Sequence, residues 1–368
     1  MRPIRLLVPG NILHNSGGNA YNARLVQGLK AHGADVEVLA VEGSWPEASA
    51  KERRRLGTLL GGWEPEPGRE PAVVIVDGLV AVGVPDELEY AAKAGRETWV
   101  LVHMTVAESA DPRPLDWEAR ALRAASGIIC TSSSSAAVLR ERYGLSGMAV
   151  ALPGVDHAPE ASGSQPPHIV VIAALLPTKD QLLTVEALSQ IQDREWTAAL
   201  VGSDQADPEY AGKVRTAVAA YGLEDRIRLT GELTGEAFER EWDAANLSLL
   251  VSRAEAFGMV VTESLARSIP VVVREGTGAV EALGLAGLTD DDGGPRLPGV
   301  AVTLLPGHPQ SPAKLADVLR NWLDHAETRE AWREAASEAR NRLPGWNQTA
   351  KTVLEALSAR QRDGVPDL

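Results

Sequence analysis

The chain has 368 residues, enough for two domains at a prior of one per ~150 residues, and its 44% hydrophobic and 23% charged content is that of a folded globular protein. Thirty-six Lys and Arg against 50 Asp and Glu leave a net charge of −14, which repels a phosphate backbone, so nucleic acid is not expected as a partner. The single cysteine, Cys130, excludes a disulfide framework and any cysteine-ligated zinc or iron–sulfur site. Phosphate is bindable only locally, by backbone dipoles and a few cations.

Short apolar runs alternate with helix-period segments, the pattern of parallel sheets with helical crossovers; runs without in/out alternation fit strands buried on both faces. Strands are expected at 4–8, 36–40, 73–76, 99–102, 128–131 and 149–152, with helices at 20–32 and 134–143, each closed by a glycine. Residues 153–167 (PGVDHAPEASGSQPP) lack periodicity and have the composition of a linker. The pattern then restarts, with strands at 169–173, 198–201, 227–229, 247–251, 271–273 and 300–304. Helices are expected between them at 181–191, 209–221, 237–245 and 259–267, and the tail from Ser311 reads as helical with one break at Pro344-Gly345. The expectation is an α/β protein of two doubly wound, Rossmann-like domains facing a cleft, at 1–160 and 167–343, with ligands at the carboxyl ends of strands.

No apolar run approaches the ~18 residues of a membrane span, and the first is cut by Pro9-Gly10-Asn11, too short for a signal peptide. A cytoplasmic setting is expected, with membrane contact at most peripheral. The basic run Lys51-Glu52-Arg53-Arg54-Arg55 reads as a solvated helix face. The sequons at Asn246 and Asn347 read as chance, and nothing signals an oligomeric state.

Four segments offer chemistry. The loop from Pro9 to Asn19 contains Gly17-Gly18, which permits close backbone approach at a helix start. It has neither GxGxxG nor GxxxxGK[ST], which disfavours a nicotinamide oxidoreductase and a Walker-type site. His103 follows the strand 99–102 and is either a substrate-facing or a satisfied structural histidine. Lys179 opens a helix, as a phosphate clamp or a solvated surface lysine. The segment 247–270 (LSLLVSRAEAFGMVVTESLARSIP) runs from a buried strand through Arg253, Glu255 and Phe257-Gly258 into a helix carrying Glu263. Its helix start offers unpaired N–H groups to a diphosphate.

That last segment resembles the E-x7-E signature of retaining GT-B glycosyltransferases, family GT4, with Glu255 and Glu263 as its two glutamates. Further segments resemble the family pattern in order: Pro153-Gly-Val-Asp156, Pro177-Thr-Lys179-Asp180, Leu200-Val-Gly202, Gly231-Glu-Leu233, and Arg274-Glu-Gly-Thr-Gly278-Ala-Val-Glu281. The resemblance implies a metal-independent, retaining transfer of a sugar from a nucleotide-sugar donor (UDP-, GDP- or ADP-linked) to an unidentified acceptor hydroxyl, with no cofactor. It implies that Glu263 binds the ribose and that Lys179 and the amides of Gly258, Met259 and Val260 bind the diphosphate. By the same resemblance Glu255 and His103 line the sugar site, with His103, Lys179 and Glu255 the catalytic set. Gly17 and Gly18 approach the phosphate, Gly202 and Phe257 belong to the donor site, and Leu233 meets the base. The helix 345–362 is implied to return to the first domain, which takes the acceptor through loops 45–69 and 105–115.

The sequence departs from the pattern where the family carries Gly-Arg after the first strand of its second domain; here Ala173-Ala174 stand. Arg253 is the expected replacement for the missing cation. Asp180, Ala256 and Ser268 stand where the family pattern has glycine. A sugar-nucleotide epimerase, a sugar phosphorylase, or a weakly active nucleotide-sugar-binding protein on the same fold are the alternatives.

Overall fold

In a computed structural model, which describes residues 2–11, 16–61, 72–108, 110–289 and 295–363, the chain divides into two units, 1–154 with 344–368, and 155–343.

The first unit runs β1 (Ile4–Pro9), α1 (Gly17–Ala31), β2 (Val36–Val41), α2 (Ala50–Leu59), β3 (Val73–Asp77), α3 (Gly78–Val82), α4 (Pro85–Lys93), β4 (Thr98–Val102), α5 (Arg113–Ala124), β5 (Gly127–Cys130), α6 (Ser133–Tyr143) and β6 (Ala149–Val150). All six strands are parallel, in the order β2-β1-β3-β4-β5-β6. β3 and β4 are buried at every position, the reason their sequences, VVIVD and TWVLV, show no polar alternation.

The second unit runs β7 (His168–Ile172), α7 (Gln181–Ser189), β8 (Thr197–Val201), α8 (Pro208–Ala220), β9 (Ile227–Gly231), α9 (Gly235–Ala244), β10 (Leu247–Leu250), α10 (Met259–Leu265), β11 (Val271–Arg274), α11 (Ala279–Leu285), a small β12 (Leu288–Thr289) and β13 (Pro295–Arg296) pair, β14 (Gly299–Val302), α12 (Ser311–Asp324) and α13 (Ala326–Arg340). Its six-stranded sheet is parallel, ordered β14-β11-β10-β7-β8-β9. Numbered within the unit, that order is 3-2-1-4-5-6, the order of dinucleotide-binding sheets, with its switch point between β7 and β10. The two doubly wound α/β sheets expected from the sequence are both present.

The final helix, α14 (Trp346–Asp363), belongs to the first unit and packs on α1. Gly28 permits the approach, since a Cβ there would lie 2.7 Å from Ala350 Cβ. Trp346 meets Tyr21 edge to face at 5.5 Å, and Thr349 Oγ1 donates to Leu152 O at 2.7 Å.

The 153–167 segment is not a free linker. From Val155 onward it is strapped to the second unit: Ala161 N–H donates to Arg267 O, Gly163 N–H to Asp243 O, and Ser164 N–H to Asn246 Oδ1. The division therefore falls at Gly154, six residues before the expected end of the first domain. Among the described residues no helix is long and apolar enough to cross a membrane.

Candidate functional site

The switch point of the second sheet places the ends of β7 and β10 side by side, with Leu247 opposite Ile169 and Ser248 opposite Val170. Their connections leave in opposite directions, which opens a crevice at the carboxyl edge. Beyond β7, Pro177–Lys179 forms one 3-10 turn, closed by Lys179 N–H on Leu176 O. Beyond β10, Arg253 N–H donates to Thr178 O at 2.7 Å and ties the two loops together. The side chains meet as well: Lys179 Nζ donates to Glu255 Oε1 at 2.5 Å, with the two side chains 24% and 11% exposed. Two residues singled out separately in the sequence thus form one ion pair.

Asp180, which stands where the family pattern has glycine, is the hub behind this pair. It has φ 56°, the left-handed region that glycine favours, and is buried as the residue preceding α7. Its Oδ1 accepts from Arg253 Nη2 at 2.8 Å and its Oδ2 from Arg274 Nη2. Arg274, 2% exposed, also donates to Val251 O at 2.8 Å and Leu304 O at 2.5 Å. Burial draws the Arg274 guanidinium below its ordinary pKa, against the pull of Asp180, while the hydrogen bond to Asp180 raises that of Arg253. Neither Asp180 nor Arg274 was anticipated as a functional residue. The available signals were an arginine ending an otherwise apolar strand, VVVR, and an aspartate at a glycine position.

The remaining second-unit residues surround this centre. Gly202 has φ 155°, and a Cβ on it would lie 2.1 Å from Ala173 O and 2.7 Å from Ala174 N, so the loop after β8 presses on the Ala173-Ala174 step. Gln181 Nε2 donates to Ala174 O at 3.0 Å. Gly258, at φ 86°, starts α10 as a cap without a side chain, leaving the amides of Met259 and Val260 in the first turn without a side-chain capping partner. A Cβ there would meet Leu250 Cδ2 at 2.9 Å and Ala279 Cα at 3.2 Å. The Phe257 side chain, only 3% exposed, is a packing group. α10 has seven residues and stops at Leu265, two before the expected end, because Ser268 turns left-handed at φ 60°. Glu263 lies on its half-buried side. Leu233 borders a hollow of about 660 Å³ between β9 and α9, with Ile227, Thr230 and Ala237.

In the first unit, His103 follows β4 directly. Its Nε2 lies 3.0 Å from Asn22 Oδ1 and 3.3 Å from Asp77 Oδ2, and Asn22 Nδ2 donates to Asp77 Oδ2 at 3.0 Å. Asp77 ends β3 and caps α3 through Leu79 N–H. Burial pushes the Asp77 carboxyl up, but bonds from His103, Asn22 and Leu79 outweigh it and hold it below the usual carboxylate range. Gly18 lies over the imidazole, a Cβ there standing 3.4 Å from His103 Cδ2, and Gly17 opens α1 behind its cap Ser16. His103 is thus a partnered, oriented histidine. Residues 12–15 of the glycine loop, 62–69 of one expected acceptor loop and 109 of the other lie outside the described residues.

Among the described residues no group of three or more His, Cys, Asp or Glu is arranged to hold a metal ion. The profile of one protein family, the glycosyl transferases group 1, matches residues 155–339, just over half of the chain. The chain belongs to that family. A D-inositol 3-phosphate glycosyltransferase of Corynebacterium efficiens is 28% identical over 236 residues, 60% of this chain and 51% of that protein. The matches cover between 24% and 51% of the length of the curated relatives concerned. Two solved structures show the fold over nearly the whole chain. Sucrose-phosphate synthase of Thermosynechococcus elongatus has a TM-score of 0.75 at 18% identity, covering 99% of this chain and all of that one. Anabaena HepE, solved with UDP and glucose, has a TM-score of 0.71 at 17% identity, covering 98% of this chain and all of HepE. The fold is the GT-B glycosyltransferase fold anticipated from the motifs, and this group 1 chain carries the family match on the unit that holds Lys179, Asp180 and Glu255.

Proposed function

We propose that the chain is a retaining glycosyltransferase that moves a sugar from a nucleotide-sugar donor to an acceptor hydroxyl, with its own cations rather than a metal facing the diphosphate. The observation that carries this reading is the Lys179–Glu255 pair at the switch point of a 3-2-1-4-5-6 sheet. Glycosyl transfer builds negative charge on the departing diphosphate and positive charge on the sugar ring. Lys179 and the amides of Gly258, Met259 and Val260 answer the first, and Glu255 takes the sugar hydroxyls. Glu263 then serves the ribose, and the hollow beside Leu233 takes the base. In the first unit, taken by itself, His103 is oriented by Asn22 and Asp77 with Gly18 beside it, and is a candidate sugar-contacting group. That unit takes the acceptor. UDP-sugars are the first donors to try, because HepE, similar in fold, was solved with UDP. The setting we propose is the cytoplasm, and the one cysteine, Cys130, is a buried free thiol.

The test is a thermal-shift panel of UDP-, GDP- and ADP-sugars in the presence of EDTA, followed by donor hydrolysis and transfer assays. A saturating donor is expected to stabilise the protein by mass action. Lys179→Ala is expected to abolish both the shift and the turnover. A panel without any shift, or a Lys179→Ala protein that turns over donor normally, overturns the reading.

A further inference from the structure

An ion triad, Arg253–Asp180–Arg274, in which Asp180 and Arg274 are buried, stands directly behind Lys179. All three guanidinium nitrogens of Arg274 are engaged, on Asp180, Val251 O and Leu304 O, and the side chain is sealed from solvent. Such an arginine anchors and does not bind ligand. It fixes Asp180 at the junction of the turn 177–179 and α7, although an aspartate at φ 56° is strained there. The second oxygen of Asp180 holds one edge of Arg253, whose side chain is 43% exposed and whose backbone N–H is tied to Thr178 O. One nitrogen is therefore fixed while the side chain as a whole reaches solvent. The next residue, Gln181, holds the carbonyl of Ala174, the position at which the family pattern has an arginine. Three cations (Lys179, Arg253, Arg274) against two carboxylates (Asp180, Glu255) make this centre net positive in a chain of −14.

We propose that Asp180 is a positioning residue: anchored by Arg274, it aims Arg253 at the donor's diphosphate as a second cation beside Lys179. The proposal deepens the donor-site reading and rests on it. A guanidinium reaching the phosphates from the β10 loop does electrostatically what an arginine at 174 would do from the β7 loop, and Asp180 limits the side-chain entropy lost when the phosphate arrives. Asp180 also keeps Arg274 from being an unpaired buried charge.

The experiment titrates the full chain calorimetrically with UDP, GDP and ADP and with the matching monophosphates. Arg253→Ala is expected to weaken the bound diphosphate by about ten- to a hundredfold, the worth of a charge-assisted pair, and the monophosphate by less than about twofold. Adding Ala174→Arg to Arg253→Ala is expected to recover at least about tenfold of that loss. The pair variant Asp180→Asn with Arg274→Gln removes both buried charges together. It is expected to lose diphosphate preference as Arg253→Ala does, and adding Arg253→Ala to it costs less than about threefold more. If that pair variant does not fold, Asp180→Asn with Arg274→Met, which also removes both buried charges together, gives the same readout.

Unchanged diphosphate affinity in Arg253→Ala, with Lys179→Ala weakened, overturns this inference and leaves the donor site standing. A full Arg253→Ala penalty in the Asp180 variants overturns the positioning role. Unchanged affinity in both Lys179→Ala and Arg253→Ala, or a wild type that binds none of the three diphosphates, overturns the donor-site reading itself.

Discussion

Lys179 Nζ and Glu255 Oε1 stand 2.5 Å apart across 76 positions of sequence, so the cation proposed for the diphosphate already has a carboxylate partner. A donor phosphate competes with Glu255 for Lys179 and, by winning, frees Glu255 for the sugar hydroxyls. Glu255→Gln is therefore expected to act in opposite directions on binding and turnover. Affinity for the free nucleoside diphosphate rises about two- to fivefold, the worth of a partly exposed ion pair. Sugar transfer falls about a hundredfold, since a transition-state contact is lost. Calorimetry and a turnover assay on the same preparation check both; a fall in diphosphate affinity contradicts the competition.

Gly278 is a second lever on Glu255. Its N–H donates to Glu255 O at 2.8 Å, and a Cβ on it would lie 1.9 Å from Ala256 O. Its φ is −60°, so alanine there meets no backbone strain, only that clash. Gly278→Ala is expected to push the 255–256 segment outward, cost about 1–3 kcal/mol of stability, and reduce transfer more than its stability loss explains. Urea unfolding beside kinetics at a permissive temperature separates the two effects.

Ser268 predicts a gain. It sits at φ 60°, buried, with its hydroxyl Oγ lacking a hydrogen-bond partner. Ser268→Gly relieves the left-handed strain and removes the unsatisfied hydroxyl, against a larger loss of backbone entropy on folding. The net expectation is about 1 kcal/mol of added stability. Differential scanning calorimetry should show the upward shift, and an unchanged or lower midpoint counts against it.

The strands and their parallel arrangement were legible because fully buried strands must be continuous apolar runs, as in VVIVD and TWVLV; the order of the strands within each sheet was not. The loops bearing Lys179 and Glu255 were legible for a different reason: their residue types and order match a family pattern. What escaped was how the pieces join. Asp180 and Arg274 lie 94 positions apart, and neither has a local signal naming its partner. The missed end of α10 has a local cause, because Ser268 adopts a backbone state that serine seldom takes and that its letter does not announce. The strap 155–167 has the composition of a linker, yet the backbone N–H groups of Ala161, Gly163 and Ser164 bond to the body of the second unit, which composition does not encode.

The Asp77 cluster sets a pH dependence. Its folded carboxyl titrates below the usual 3.8, so the ionised form is favoured by folding. The resulting stability is fully present above that value and is lost as the pH falls through the lower folded value. Asp77→Asn is expected to lower stability at neutral pH and to flatten the acid limb of the stability curve. Parallel curves for the two proteins below pH 4 would remove Asp77 as its source.

The return of α14 onto α1 makes the first unit discontinuous in the chain, with the 189 residues from Val155 to Leu343 inserted between its two parts. A ribosome finishes the whole second unit before it makes the helix that covers Gly28, Tyr21 and Leu152. The first unit must therefore wait, with the contact face of α1 uncovered, until α14 emerges. A chain stopped near residue 343 would hold a complete second unit beside an unfinished first one. Order of synthesis and order of folding run opposite ways here, and the exposed helix face is where a nascent-chain chaperone would be needed.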